Sequence, residues 1–214
     1  MGRAERVEHR VRGVPVTLAS QSLRRRIALV NQPNQVPSEV YATFCSVIDT
    51  PAVQRIMGSI AIATQNNVQR VHLLFESGGG NVGDGICLYN FFKTCPIGIS
   101  IYNSGTVASI AAVAYLGAET RIVNEHATFM VHPSTNWPQP VNTAERLQTA
   151  IQSLRIDDAR TTEILRKHLK VSKSKWSNLR HNELWFTAED ALASGLATAI
   201  GEFAPPRGTQ VYNL

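Results

Sequence analysis

The sequence has few of the features that mark membrane, secreted or metal-binding proteins. No apolar run approaches the roughly 18 to 20 residues of a membrane-spanning helix, and the start of the chain lacks the apolar core of a secretory signal. The 3 cysteines form no C-x-x-C pair, so neither disulfides nor a metal site is expected. These absences predict a cytoplasmic protein.

The net charge of +5 comes from one end of the chain. Residues 1–26 hold seven arginines against Glu5 and Glu8, and this excess accounts for the whole net charge. A basic arm can bind nucleic acid, but such an arm is more typical of a solvated, flexible chain end. Nucleic-acid binding is therefore not favoured.

A strand-turn-helix unit occurs twice in the sequence. The apolar run 71–75 is followed by a glycine turn and a helical pattern, and the run 97–102 is followed by the turn 103–105 and a helix over 107–116. Two such units in series predict parallel strands with right-handed crossovers. We expect one α/β domain over residues 27–204 and a loose tail over 205–214.

The remaining elements are predicted from shorter patterns. Strands are expected at 27–30, 121–123, 128–131, 184–186 and 197–200, and helices at 38–48, 51–64 and 188–193. A long helix is predicted over 142–169, with Asn142 and Glu145 in a capping-box arrangement. At 1.5 Å per residue it would extend ~42 Å, longer than a domain of this size can cover, so part of it should project and contact another chain.

Candidate chemistry begins at the glycine turn Gly78–Gly80. Glycines between a buried strand and a helix expose backbone N–H groups that can bind phosphate or an oxyanion. The lysine of a phosphate-binding loop is absent, and the dinucleotide pattern G-x-G-x-x-G occurs only in overlapping runs. The turn alone leaves open whether the glycines bind a ligand or only permit the bend.

Ser109 and His132 are two further candidates for catalytic residues. Ser109 opens a helix of small residues, where by itself it could be a packing residue, and it is not in a G-x-S-x-G elbow. His132 ends a strand and precedes a proline-rich loop, where open-sheet enzymes place reacting groups. In this order, the turn, the serine and the histidine supply the donors, nucleophile and base that acyl transfer needs.

Four segments together resemble the proteolytic subunit of the Clp protease, the ClpP family. They are the strand and glycine turn VHLLFESGGG ending at Gly80, the segment GTVASIA around Ser109, FMVHP around His132, and WFTAEDALASGL ending the domain. The resemblance runs from about residue 70 to 201. It implies an α/β ClpP or crotonase-like fold of repeated β-turn-α units, with residues 133–175 as a projecting handle.

The resemblance also implies roles for individual residues. Ser109 would be the nucleophile, His132 the general base, and the backbone N–H groups of Gly80 and Ile110 the oxyanion hole. The position of the third, acidic member is assigned to Glu183 by counting back from Phe186. Asn182 or Asn178 as an uncharged orienting group, or no orienting group, are the alternatives.

The expected function is that of a serine endopeptidase that cleaves unfolded polypeptides or peptides inside an oligomeric ring, single or stacked, without metal or cofactor. A separate AAA+ unfoldase is the expected ATP-dependent partner. The alternatives are a weak or inactive Clp-like subunit with an assembly or regulatory role, and a crotonase-type acyl-CoA enzyme.

Overall fold

The computed structural model describes residues 37–135, 143–179 and 182–214. The expected basic arm at 1–26 and the expected strand at 27–30 lie outside these ranges, as does Asn142. Within them, no helix is both long enough and apolar enough to cross a membrane.

The described ranges contain nine strands and six helices. The strands are β1 (Glu39–Cys45), β2 (Arg70–Glu76), β3 (Gly98–Asn103), β4 (Thr106–Ala108), β5 (Thr120–Val123), β6 (Thr128–Val131), β7 (Leu184–Phe186), β8 (Ala199–Ile200) and β9 (Val211–Asn213). The helices are α1 (Thr50–Gln65), α2 (Val82–Thr94), α3 (Ile110–Tyr115), α4 (Ala144–His168), α5 (Lys173–Asn178) and α6 (Ala188–Ser194).

Six of the strands form one parallel sheet. Its order is β8-β5-β3-β2-β1-β9, and each neighbouring pair is parallel. The parallel strands predicted from the repeated unit are therefore confirmed, and the right-handedness of the crossovers stays a prediction. Along β2 the burial alternates, with Val71, Leu73 and Phe75 buried and His72 and Leu74 half-buried. The strand predicted from the apolar run 71–75 is therefore fully buried on one face and half-buried on the other.

A second sheet of three strands carries the candidate site. Its order is β4-β6-β7, with β4 parallel to β6 and β6 antiparallel to β7. In the register of β6 and β7, Phe129 faces Phe186 and Val131 faces Leu184. This sheet brings together three chain segments that are far apart in sequence.

The predicted helix over 38–48 is wrong. Residues Glu39–Cys45 form β1, in which Ala42 and Phe44 are buried and their neighbours are more exposed. This is the period-two burial of a strand. The expectation of a loose tail also needs correction, because β9 pairs with β1 and the N–H of Leu214 donates to the carbonyl of Thr43 at 2.9 Å.

Helix α1 begins where the sequence predicts. Pro51 lies in its first turn, and the side chain of Asp49 accepts a hydrogen bond from the N–H of Ala52 at 2.9 Å. Such a cap stabilises the otherwise unpaired N–H groups of the first turn. The buried residues Val53, Ile56 and Ile60 recur at helical spacing and pack against the sheet.

Helix α4 packs on the domain only near its C-terminal end. Its N-cap is Thr143, whose side chain accepts from the N–H of Arg146 at 3.3 Å. Ile164 and Leu165 are buried, whereas Leu147 and Ile151 are each 49% exposed. The N-terminal half of the helix thus presents apolar side chains that the described part of the chain does not cover.

Candidate active site

The glycine turn is built against the end of β1. The carbonyl of Gly79 accepts from the N–H of Ile48 at 2.8 Å, and the N–H of Asn81 donates to the carbonyl of Ile48 at 2.9 Å. Gly80 has a φ of +155°, and a Cβ there would lie 2.0 Å from the carbonyl oxygen of Ile48. Only glycine fits this approach of two backbones.

The same turn is hydrogen-bonded to the strand that precedes the serine. The N–H of Ser77 donates to the carbonyl of Thr106 at 3.2 Å, and the N–H of Ala108 donates to the carbonyl of Ser77 at 2.9 Å. Gly79 has a φ of +108°, and a Cβ there would lie 2.7 Å from Cβ of Ser109. The turn therefore lies directly against the candidate nucleophile.

Ser109 has an unusual backbone conformation, with φ +58° and ψ −131°. Non-glycine residues in such regions cost about 1–3 kcal/mol each and cluster at functional sites. The predicted helix over 107–116 accordingly starts late, because Val107 and Ala108 belong to β4 and the helix begins at Ile110. A hydrogen bond from the N–H of Ser109 to the carbonyl of Met130, at 2.7 Å, ties this residue to β6.

Ser109 and His132 meet. His132 directly follows β6, and its Nε2 lies 2.8 Å from Oγ of Ser109. Both residues are half-buried. This distance suits proton transfer between a hydroxyl group and an imidazole.

Two amide hydrogens adjoin this pair. Within the described ranges, neither the N–H of Gly80 nor that of Ile110 donates to a protein acceptor. Gly80, Ser109, Ile110 and His132 line one cavity of about 60 Å³. Free amide hydrogens beside a nucleophile can stabilise the negative charge of an oxyanion.

Glu183 immediately precedes β7, and its carboxylate is hydrogen-bonded to a neighbouring indole. Its Oε2 accepts a hydrogen bond from Nε1 of Trp185 at 3.1 Å, and the residue is exposed. No ion pair within 4.0 Å joins it to His132 among the described residues. The ladder of β6 and β7 ends at Val131 opposite Leu184, so a further step would place Glu183 opposite His132.

The two asparagines considered as orienting groups are both exposed. The N–H of Asn182 donates to the carbonyl of Asn178 at 2.9 Å. Within the part of the chain that the structure describes, neither amide side chain is hydrogen-bonded to His132. The structure thus brings the serine and the histidine together, and among the described residues no orienting group is hydrogen-bonded to the histidine.

The cavity also has walls that the sequence did not identify. Val82 and Val113 come from α2 and α3, and Thr161 and Leu165 come from α4. Leu165 belongs to the apolar stripe of the predicted long helix, so its burial was foreseeable but its position beside the serine was not. Thr161 gave no signal in the sequence.

Comparisons with known proteins agree with this architecture. The family model described as Clp protease matches residues 29–203. The ATP-dependent Clp protease proteolytic subunit 2 of Corynebacterium diphtheriae is 24% identical over 185 residues, covering 85% of each chain. The subunit of the same name from Corynebacterium glutamicum is 24% identical over 159 residues, covering 72% of this chain and 78% of the relative.

A solved structure shows the same fold. A point mutant of ClpP1 from Listeria monocytogenes superposes with a TM-score of 0.66 at 15% identity, over 85% of this chain and 96% of that one. Because the family model spans most of the chain, the protein belongs to the Clp protease family, as a divergent member with the ClpP fold. The family resemblance and the fold class predicted from the sequence are both confirmed.

The contact between the turn and the serine can be tested with two neighbouring glycines. Gly79→Ala should lower the free energy of unfolding by about 1–3 kcal/mol or more. The new methyl group would meet Ser109, and the φ is unfavourable for alanine. Gly78→Ala is the matched control, since nothing lies within 4 Å of a Cβ there. It should change stability by less than about 0.5 kcal/mol in urea unfolding. Equal effects of the two variants would contradict the packing described.

Proposed function

We propose that the protein is a serine peptidase in which Ser109 is the nucleophile and His132 the general base. The observation that carries the proposal is the 2.8 Å contact between Oγ and Nε2, made in a cavity that Gly80 and Ile110 also line. Among the described residues, the N–H groups of Gly80 and Ile110 have no protein acceptor. Nucleophile, base and oxyanion donors are the three parts that acyl transfer requires.

The proposed reaction proceeds through an acyl-enzyme. Oγ of Ser109 bonds to the peptide carbonyl carbon while its proton passes to Nε2 of His132, and the carbonyl oxygen becomes an oxyanion held by Gly80 and Ile110. The imidazolium then gives its proton to the leaving amine as the C–N bond breaks. Water, deprotonated by the same histidine, cleaves the ester and restores the serine. The steps need no metal or cofactor.

The strain at Ser109 supports this role. Its φ of +58° directs the chain from β4 sharply into α3, and the N–H of Ile110 is the first unpaired amide of that helix. A helix N-terminus favours negative charge, although α3 is short and the effect is correspondingly local. The proposed substrates are unfolded polypeptides or short peptides.

Covalent labelling tests the roles proposed for Ser109 and His132. The wild-type protein should react with a fluorophosphonate probe to give one adduct on Ser109, and Ser109→Ala should give none. His132→Ala should slow labelling by about 10³-fold or more, since the base would be lost. Intact-mass spectrometry and peptide mapping measure both.

Labelling of the wild type with no loss in Ser109→Ala would contradict the assignment of the nucleophile. A folded wild-type protein that takes no label would favour the alternative, a Clp-like subunit with an assembly or regulatory role. The Ser194→Ala variant is a control, because Ser194 is a buried serine whose hydroxyl donates to the carbonyl of Ala191 at 3.3 Å. It should be labelled like the wild type.

We propose Glu183 as the group that orients His132 once its side chain leaves Trp185. Support comes from the strand register: the ladder ends at the pair Val131 and Leu184, and one further step of the same register would bring residue 183 opposite His132. Opposite residues of an antiparallel pair project from the same face, within reach of a long side chain. Rotation about the side-chain bonds of an exposed glutamate would exchange the indole N–H for the imidazole.

The second labelling prediction compares neighbouring residues. Glu183→Ala should slow labelling of Ser109 by between about 10-fold and 10⁴-fold, whereas Asn182→Ala should change it little. Trp185→Phe should leave the rate unchanged or raise it, because it removes the N–H that competes for the carboxylate. A larger loss in Asn182→Ala than in Glu183→Ala would assign the orienting role to the amide.

We further propose that the protein assembles into a ring, single or stacked, that encloses the cavities of its subunits and receives substrate from an AAA+ unfoldase. The exposed apolar residues of α4 support a subunit contact there, because Leu147 and Ile151 are one helical turn apart and each is 49% exposed. The cytoplasmic location expected from the sequence stays a prediction.

The assembly prediction uses this surface. The double variant Leu147→Glu, Ile151→Glu should convert the ring into smaller species in sedimentation velocity, because it places charges in an apolar contact. Gln148→Glu, Gln152→Glu adds the same charges on exposed polar positions of the same helix and should leave the particle size unchanged. Loss of helix signal in circular dichroism would indicate unfolding instead. Unchanged sedimentation of the first variant, with its fold intact, would contradict the contact.

A further inference from the structure

A carboxylate from α4 holds the chain segment that follows the base. The N–H of Ser134 donates to Oδ1 of Asp158 at 2.7 Å. Both residues are half-buried. A bond from an amide to a carboxylate at this distance is charge-assisted and stronger than one between neutral groups.

The position of His132 depends on what holds the chain on each side of it. On one side the ladder of β6 and β7 ends at Val131. On the other side Pro133 has no N–H to donate, and Ser134 supplies the hydrogen bond to Asp158. The base therefore lies between the end of a strand and a fixed point two residues later.

Asp158 belongs to a part of α4 that packs against the domain. Thr161 and Leu165 follow Asp158 by three and seven residues, so the three lie on one face of α4. Thr161 and Leu165 line the cavity of Ser109 and His132, and Leu165 is only 4% exposed. Asp158 thus lies on the same face of α4 as two residues that line the cavity, one of which is buried.

We propose that Asp158 is a positioning residue for His132. Its carboxylate holds the amide of Ser134, and this hold keeps the imidazole within hydrogen-bond distance of Oγ of Ser109. The inference rests on the proposed peptidase function. Asp158 acts through the backbone of Ser134, which distinguishes its role from that of Glu183.

The test measures the rate of fluorophosphonate labelling of Ser109 in three variants of the full chain. Asp158→Ala should slow labelling by on the order of 10-fold to 100-fold, since a base displaced by about 1 Å can cost that much. Asp158→Asn should restore most of the rate, because the amide oxygen can accept the same hydrogen bond. Asp157→Ala is the matched control, because that carboxylate pairs with Arg160 at 3.3 Å on the same helix. It should label within about twofold of the wild type.

The outcomes separate this inference from the proposed function. If Asp158→Ala is labelled at the wild-type rate, the positioning role of Asp158 is overturned and the peptidase proposal is unaffected. Asp158→Asn as slow as Asp158→Ala also overturns that role, because the negative charge and not the hydrogen bond would then matter. If the wild type takes no label, the peptidase proposal fails. In that case the hydrogen-exchange rate of the Ser134 amide, measured by NMR, still decides whether Asp158 holds this segment. Equal exchange rates in the wild type and Asp158→Ala would overturn the inference.

The variants must be compared as folded proteins. Circular dichroism and the temperature midpoint of unfolding should show each variant folded at the labelling temperature. A loss of labelling caused by general destabilisation would appear in Asp157→Ala and Asp158→Ala alike, and equal losses in the two would overturn the inference.

Discussion

The candidate site depends on the close packing of one glycine turn against one strand. Ser77 uses both main-chain groups to hold β4, and Gly79 and Gly80 bring the turn against Ser109 and Ile48 at distances that no side chain would permit. Gly80 lines the cavity, and its N–H has no acceptor in the described part of the chain, whereas the carbonyl of Gly79 and the N–H of Asn81 are both bonded to Ile48. A single constraint, backbone in contact with backbone, therefore fixes the donor and the nucleophile relative to each other.

The base reaches this site through the second sheet. The N–H of Ser109 donates to the carbonyl of Met130, two residues before His132, so one hydrogen bond links the chains of nucleophile and base. A serine and a histidine 23 residues apart are thereby held by the same strand pair rather than by a flexible loop. Sites built on strands maintain the short distances that proton transfer requires better than sites built on loops. The strained φ of Ser109 persists because this surrounding structure determines it.

The sequence predicts the parts of this arrangement that depend on local patterns. The glycine turn, α1 and the parallel strands follow from periodicity and turn residues, and the order of turn, serine and histidine indicates the chemistry. What was missed depends on contacts distant in sequence. β1 is a strand because its edges pair with β2 and β9, and its seven residues alone permit either element. The late start of α3 depends on the bond between Ser109 and Met130. The state of Glu183 has a different, local cause, because its carboxylate accepts a hydrogen bond from the indole of Trp185 two residues later.

Helix α4 carries both the residues of the proposed subunit contact and the carboxylate proposed to position His132. Leu147 and Ile151 lie on its exposed half, while Asp158 lies just before the buried residues Ile164 and Leu165. From Ile151 to Asp158 the helix rises only about 10 Å, a distance over which an α-helix behaves as a rigid rod. A subunit that restrains the exposed half would therefore also restrain the carboxylate that holds Ser134. In the proposed ring, assembly would stabilise the position of His132 without any new contact to the imidazole, because the added contacts would limit the motion of the helix that supports it.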